Sequence, residues 1–435
     1  MTTASDKTIQ KPLGKLSGRH ILLTVFTCIV VIGEGYSLVI YSSVKDALGE
    51  RFAADSFILG LFGSVPLIGM MLGALTLGFL SRKYGSRRQI AAMTALFAAA
   101  TAVSGLARDP YLFAALRFIA GFGAGGAQPL AVGLLSEYAP EKHKNTLIAL
   151  SMAGMQIGGV LAPLSGIVFR GSPEACMGAA AVFLIAVPFL WTLLPESSGY
   201  LLRAGKTSLA EKYAAMYEAA RTAPATSLPE RSGSAGIKKS SGFLLTTVAF
   251  SAAFFMGLLL IYGLNTWLPD LMRASGYELG SPLLSLLLLN LAALFGTFLL
   301  GKLADKTKPT RLIALLYFLA GAGLLLLSIK SGAVVTNILI AICGICVYSP
   351  QNLGAAYLAS RYDPSLRATA LGIANGVGRA GGIIGPSLGG LLLSRGVGLT
   401  AAFAVFAAAG IIACVLYIAL GTSSTVYKAS SRQQV

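Results

Sequence analysis

Gly78-Phe79-Leu80-Ser81-Arg82-Lys83-Tyr84-Gly85-Ser86-Arg87-Arg88 is a basic turn between two long apolar runs, and Gly301-Lys302-Leu303-Ala304-Asp305-Lys306 echoes it far along the chain. A second pair of polar turns follows in the same order. Ser136-Glu137-Tyr138-Ala139-Pro140-Glu141-Lys142-His143-Lys144 has its counterpart in Ser360-Arg361-Tyr362-Asp363-Pro364-Ser365-Leu366-Arg367. Two turns recurring in one order point to an internal duplication. Around them run apolar segments long enough to cross a bilayer, at about 21–43, 57–80, 88–107, 111–135, 146–169, 176–194, 243–268, 281–301, 311–329, 333–358, 367–393 and 399–420. The reading is an all-α membrane protein with twelve transmembrane helices in two six-helix bundles. Residues 1–195 form the first bundle, and 196–242 form a cytoplasmic linker rich in Ser, Lys and Arg with Pro224 and Pro229. Residues 243–435 form the second bundle.

Composition agrees. Of 435 residues 55% are hydrophobic and only 12% charged, where a soluble protein carries about a quarter charged. The net charge of +17 would suit a nucleic-acid binder if it formed a basic patch on a soluble fold. Here the cations fall between apolar runs instead. With both termini cytoplasmic, the inner segments carry 25 Lys and Arg against 9 acids, which is the positive-inside bias of a multi-pass protein. The first run follows Lys7, Lys11, Lys15 and Arg19 but is longer than a signal-peptide core and lacks a small-residue cleavage site, so it reads as a retained helix.

Catalytic chemistry has little to draw on. The two histidines, His20 and His143, stand near span ends, which leaves no zinc motif or His-based triad in the apolar core. Cys343-Gly344-Ile345-Cys346 has redox spacing but lies inside a span with no further ligand, so no metal is expected. An enzyme is therefore not expected, and a receptor would need a signalling domain larger than the linker. Gly121-Phe122-Gly123-Ala124-Gly125-Gly126 lacks the preceding strand of a nucleotide loop and reads as close helix packing.

The turn from Gly78 to Arg88 resembles the motif that follows the second helix in the major facilitator superfamily. Arg117-Phe118-Ile119-Ala120-Gly121 with Gly123 and Gly125 resembles that superfamily's fourth-helix motif. Within the superfamily the chain is most similar to the aromatic acid:proton symporters, the carriers of 4-hydroxybenzoate and benzoate. That likeness rests on Glu34-Gly35-Tyr36-Ser37, Leu194-Pro195-Glu196-Ser197, Tyr262-Gly263-Leu264-Asn265-Thr266-Trp267-Leu268-Pro269 and Gly378-Arg379. It implies alternating access, import of a small aromatic or related organic monocarboxylate together with a proton, no cofactor beyond the proton gradient, and a monomer in the bacterial inner membrane. Carriers of a sugar, a nicotinate-like acid or an exported drug are the alternatives. The chain departs from the family at two places: Ser37 stands where the helix-one signature has a second acid, and Arg82 where the loop motif has Asp. The resemblance implies a cytoplasmic gating motif of Gly78, Arg82, Gly85, Arg87, Arg88, Glu137, Asp305 and Arg367.

Three ionisable residues fall well inside the expected spans: Glu34, Arg117 and Arg379. Each is costly in lipid unless it meets a cavity or a partner. Glu34 is the candidate for proton coupling, with a fixed Glu34–Arg117 ion pair as its bland alternative. Arg379 and Arg117 are candidate carboxylate anchors, since a guanidinium pairs bidentately with a carboxylate. Tyr36, Tyr262 and Tyr348 can contact a ring, and Asn265, Asn290, Gln351 and Asn375 can hold hydroxyl or carboxylate groups, although such residues also join helices. Trp267 is expected as an interfacial anchor.

Overall fold

In lipid a backbone must satisfy its own polar groups, and a chain this apolar does so by coiling. The computed structural model describes residues 16–217, 241–274, 282–304, 307–329, 331–362 and 364–422. Among them are sixteen α-helices: α1 (Gly18–Phe52), α2 (Ser56–Tyr84), α3 (Ser86–Ser104), α4 (Pro110–Tyr138), α5 (Lys144–Met152), α6 (Gly154–Val168), α7 (Pro173–Gly178), α8 (Ala186–Leu193), α9 (Ser198–Arg203), α10 (Thr207–Met216), α11 (Ser241–Ala274), α12 (Pro282–Ala304), α13 (Pro309–Leu327), α14 (Ala333–Arg361), α15 (Pro364–Ser394) and α16 (Leu399–Thr422). A 3₁₀ segment, Ala179–Ile185, makes one run of α7 and α8.

Helix starts follow capping chemistry. Asp55 and Asp109 each accept a hydrogen bond from a backbone N–H three residues on, at 2.8 Å, and Pro110 opens α4 where its missing N–H costs nothing. At the start of α1, Ser17 N–H donates to His20 Nδ1 at 3.0 Å, while His20 Nε2 lies 3.0 Å from the carbonyl of Tyr217. A carbonyl only accepts, so the proton sits on Nε2 and the ring ties α1 to the end of α10.

Among the described residues ten helical runs are long and apolar enough to cross a membrane, against twelve expected. Two of the expected spans, α3 and α15, fall outside that set for visible reasons. α3 opens on Ser86-Arg87-Arg88-Gln89, and α15 is diluted by eight glycines. Those glycines have a packing use. A Cβ at Gly381 or Gly385 would strike the backbone of α11, and one at Gly390 would strike Ser56 of α2, so α15 lies tightly between α11 and α2. Gly121 and Gly125 likewise meet the backbone of α2 at Pro66 and Met70, as the sequence suggests.

Packing runs α2 on α4, α1 on α6 and α3 on α4 in the first part, and α11 on α15, α13 on α16 and α12 on α14 in the second. The two parts meet along α2 with α15 and α6 with α12. α1, at 35 residues, spans roughly 50 Å, well beyond a ~30 Å hydrocarbon core. Its first half packs with Ile90, Phe97 and Leu134, whereas Tyr36 to Leu48 join the apolar core of α11 to α16. Apolar side chains such as Leu75, Phe295 and Val334 are exposed on the outside.

Candidate functional site

α1 and α11 end at the same face, and there the two parts are fastened together. Lys45, two residues past the expected first span of 21–43, lies inside α1 and is only 2% exposed. Its ammonium pairs with Asp270, donates to the carbonyl of Thr266 at 3.0 Å and stands 3.7 Å from the centroid of the Trp267 ring. Next to it Asp46 pairs with Arg273 at 2.8 Å, with the signs reversed between the helices. Ser42 donates to the carbonyl of Asn265, and Ser64 of α2 donates to the carbonyl of Ile383 of α15, both at 2.5 Å. Trp267 is no interfacial anchor: it is buried and donates from Nε1 to the carbonyl of Pro386 at 2.7 Å. Its indole closes the α11–α15 seam.

Beneath this seal lies a narrow cavity with a partly open mouth. Leu38, Tyr41 and Leu67 line one side, and Ile261, Tyr262, Asn265, Asn290 and Tyr348 the other. Three of these form a closed triangle. Asn265 Nδ2 donates to the Tyr348 hydroxyl, that hydroxyl donates to Asn290 Oδ1 at 3.2 Å, and Asn290 Nδ2 donates to Asn265 Oδ1 at 3.1 Å. One helical turn away along α11 stands Tyr262, which feels the charges of both Arg379 and Glu34. Glu34 is 1% exposed, and its Oε2 has no hydrogen-bond partner among the described residues. Arg379, half-buried on α15, is its electrostatic neighbour. Gly35, beside Glu34, lets α1 touch α6, because a Cβ there would collide with the carbonyl of Met155.

Other candidates lie elsewhere. Arg117 is fully buried, and Nε, Nη1 and Nη2 have no hydrogen-bond partner among the described residues. Its electrostatic neighbour is Tyr41, so no Glu34–Arg117 ion pair forms. The Tyr41–Phe113 ring pair at 6.2 Å and the approach of Gly123 to Phe97 put Arg117 level with Ser37, whose hydroxyl bonds Thr101 at 2.6 Å. Tyr36 braces α1 against α6 and α7, bonding Ser165 at 2.9 Å and the carbonyl of Cys176 at 2.6 Å. Gln351 accepts from Tyr317 at 3.3 Å, and Asn375 is exposed and bonds the carbonyl of Leu371. Of the expected site residues Tyr262, Asn265 and Tyr348 line the cavity, whereas Glu34, Arg379, Arg117, Tyr36, Gln351 and Asn375 do not.

At the opposite face three of the expected gating residues, Gly85, Arg87 and Glu137, lie around a residue outside the expected set, Glu196. Its carboxylate accepts from the N–H groups of Ser86 and Arg87 at 2.7 and 3.1 Å, an acid at the start of α3. Gly85, at φ +86°, lets it approach, since a Cβ would overlap the carboxylate. Tyr138 donates to the Glu196 carbonyl at 2.6 Å, and the neighbouring Glu137 accepts from Ser198 N–H at 2.7 Å. Gly78 is half-buried, Arg87 half-buried, and Arg82 and Arg88 are exposed. Asp305 lies outside the described residues, and Arg367 sits in α15 with its side chain undescribed.

A model of the Major Facilitator Superfamily matches residues 23–378. The chain belongs to this superfamily. It is a multi-pass integral protein of the plasma membrane and a carrier, not an enzyme. The chain is 33% identical to the benzoate transport protein of Acinetobacter baylyi, over 87% of this chain and 85% of that one. It is 31% identical to the gentisate transporter of Corynebacterium glutamicum, over 97% and 92%. The xylose transporter XylE of E. coli in its inward-open conformation shares the fold, with TM-score 0.71 at 16% identity over 92% of this chain and 95% of that one.

Among the residues missed by sequence reasoning, Lys45 and Asp270 sat just past hydropathy boundaries. A charge three to four residues beyond an apolar run can still belong to the same helix, and that signal was available. Glu196 gave none beyond its place in a Leu-Pro-Glu-Ser string.

Proposed function

We propose that this carrier is a symporter that imports a small aromatic or related organic monocarboxylate together with a proton by alternating access. Two six-helix halves, residues 1–195 and 243–435, rock about the linker 196–242, with twelve spans and both termini cytoplasmic. In this reading the fastened face is extracellular, and the cavity opens to the cytoplasm. The observation that carries the proposal is the approach of Glu34 from one half to Arg379 and Tyr262 from the other, with Tyr262 lining the cavity. The names of the curated relatives support the substrate class.

Charged Glu34 competes with a substrate carboxylate for Arg379. Protonated Glu34 releases the guanidinium, which then holds the carboxylate through its two-pronged fork. Proton and anion therefore enter together, and each favours the other by relieving the same unpaired charge. Tyr262 flanks the ring. Arg117 stays in the first half as a second cation, reachable by an anion only if α1 and α4 part. Gln351 and Asn375 line the inner exit, and Tyr36 supports α1. The polar cluster of Gly78, Arg82, Gly85, Arg87, Arg88 and Glu137, with Asp305 and Arg367 of the second half, closes the cytoplasmic side in the opposite state. The protein works as a monomer and needs no cofactor.

The test is uptake into proteoliposomes of radiolabelled benzoates, xylose and nicotinate, with and without an inward proton gradient. Gradient-dependent accumulation of a benzoate is expected. Accumulation of xylose or nicotinate alone, or benzoate flux indifferent to the gradient, would overturn the reading.

A further inference from the structure

The Asn265–Asn290–Tyr348 triangle has an unusual chemical polarity. Asn265 Nδ2 lies 2.7 Å from the carbonyl of Ile261, and Asn290 Nδ2 lies 2.9 Å from the carbonyl of Leu286. A main-chain carbonyl can only accept, so both amides are oriented without ambiguity: the nitrogens face their own helices and the triangle, and the oxygens remain. Each amide nitrogen has two protons, and both are spent, one on the helix and one on the triangle. The Tyr348 hydroxyl spends its single proton on Asn290 Oδ1. No side-chain donor of the triangle is left over. Each of its three oxygens accepts one hydrogen bond within the triangle and keeps a further lone pair. All three residues line the cavity, and all are buried.

We propose that the triangle is an acceptor-only specificity element. It selects substrates that carry a hydrogen-bond donor, a phenolic hydroxyl or an amino group, at the end of the ring remote from the carboxylate. The inference rests on the proposed transport of aromatic monocarboxylates and makes it narrower. A carboxylate brings only lone pairs, and against three acceptor oxygens it would be repelled and unpaired. The substrate carboxylate must therefore point the other way, toward Arg379. The spacing suits one ring: Tyr262 stands three residues from Asn265, and Arg379 seven from Pro386 at the cavity end, which is roughly 5–10 Å along the helix axes. The triangle comes from α11, α12 and α14, whereas Glu34 belongs to α1, so donor recognition and proton coupling lie on different halves. An unsubstituted ring leaves the acceptors facing apolar carbon. A hydroxyl satisfies one of them, and a buried polar group left unpaired costs enough to discriminate by about an order of magnitude.

The experiment is competition binding to the purified full chain in detergent, with radiolabelled 4-hydroxybenzoate displaced by unlabelled 4-hydroxybenzoate, 4-aminobenzoate, 4-fluorobenzoate and benzoate. The two donor-bearing acids are expected to compete ~10-fold more strongly than the fluoro and unsubstituted acids. The fluoro compound controls for the size of the substituent. Tyr348→Phe removes the acceptor of Asn265 Nδ2 and turns a donor toward the cavity. In that variant the preference for 4-hydroxybenzoate over 4-methoxybenzoate is expected to fall within about twofold or reverse, an outcome a purely structural role would not produce. If that variant fails to fold, Gly159→Ala serves, because a Cβ there presses on Asn290 Oδ1 from α6 and disturbs the same acceptor without removing it. Equal affinity for all four acids in the wild type overturns the triangle's role while leaving carboxylate transport intact. Failure of every benzoate to bind overturns the transport reading, and the triangle's role with it.

Discussion

The C-terminal ends of α1 and α11 and the middle of α1 treat charge in opposite ways. At the ends Lys45 is matched with Asp270 and Asp46 with Arg273. At the middle of α1 the charges are held near each other without contact, with Glu34 Oε2 unbonded and Arg379 within electrostatic range. Matched charges hold two surfaces together. Unmatched ones wait for a ligand or a proton, and their cost in a low-dielectric setting is the reason such groups mark transport sites. The contrast separates a latch from the proposed coupling site along α1.

The strongest way to break that contrast is to strip the latch of one partner. Asp270→Asn leaves the Lys45 ammonium buried and unpaired, and removing one member of a buried pair costs about 3 kcal/mol or more. The fastened state should lose population by roughly 100-fold relative to its alternative, read as increased labelling of a cysteine introduced at Ser42. The double variant Lys45→Met with Asp270→Leu should lie nearer the wild type than either single change, because an apolar pair replaces the ionic one without an orphan.

Glu34→Gln tests the midpoint. It should abolish gradient-driven accumulation, a loss of at least ~10-fold, while exchange of labelled for unlabelled substrate persists, because the neutral amide imitates the protonated acid. Parallel loss of both activities would make Glu34 a binding or folding residue. A smaller effect is expected from Arg379→Lys. It keeps the charge but loses the fork, so carboxylate affinity should weaken by about 1–2 kcal/mol, ~10-fold, with expression unchanged. The smallest comes from Asp46→Asn. Asp46 and Arg273 are both more than half exposed, so screening leaves the pair worth well under 1 kcal/mol, and uptake should change less than twofold.

Much of this was legible in the sequence because hydropathy is local. Glu34, Arg117 and Arg379 stand out by being charged where neighbours are not, and the paired turns point to a repeat. The division of labour among them was not legible. Arg117 and Arg379 look equivalent along the chain, one per half, yet the first is sealed between α1 and α4 and the second lies beside Glu34. Trp267 and Lys45 look like boundary residues because a hydropathy window ends before α1 and α11 do. Asn265, Asn290 and Tyr348 are ordinary polar interruptions until three helices bring them within hydrogen-bond reach.

The sequence by itself determined that the chain is a helical membrane protein, since apolar length acts residue by residue along the chain. Only the tertiary structure decided which charges are paired, which face is shut and which polar atoms have bonds to spare. Those properties belong to contacts between segments up to about three hundred residues apart, Ser64 against Ile383 and Ser387 among them. A one-dimensional pattern carries the cost of burying a charge, but the partner that offsets it is found only when helices pack.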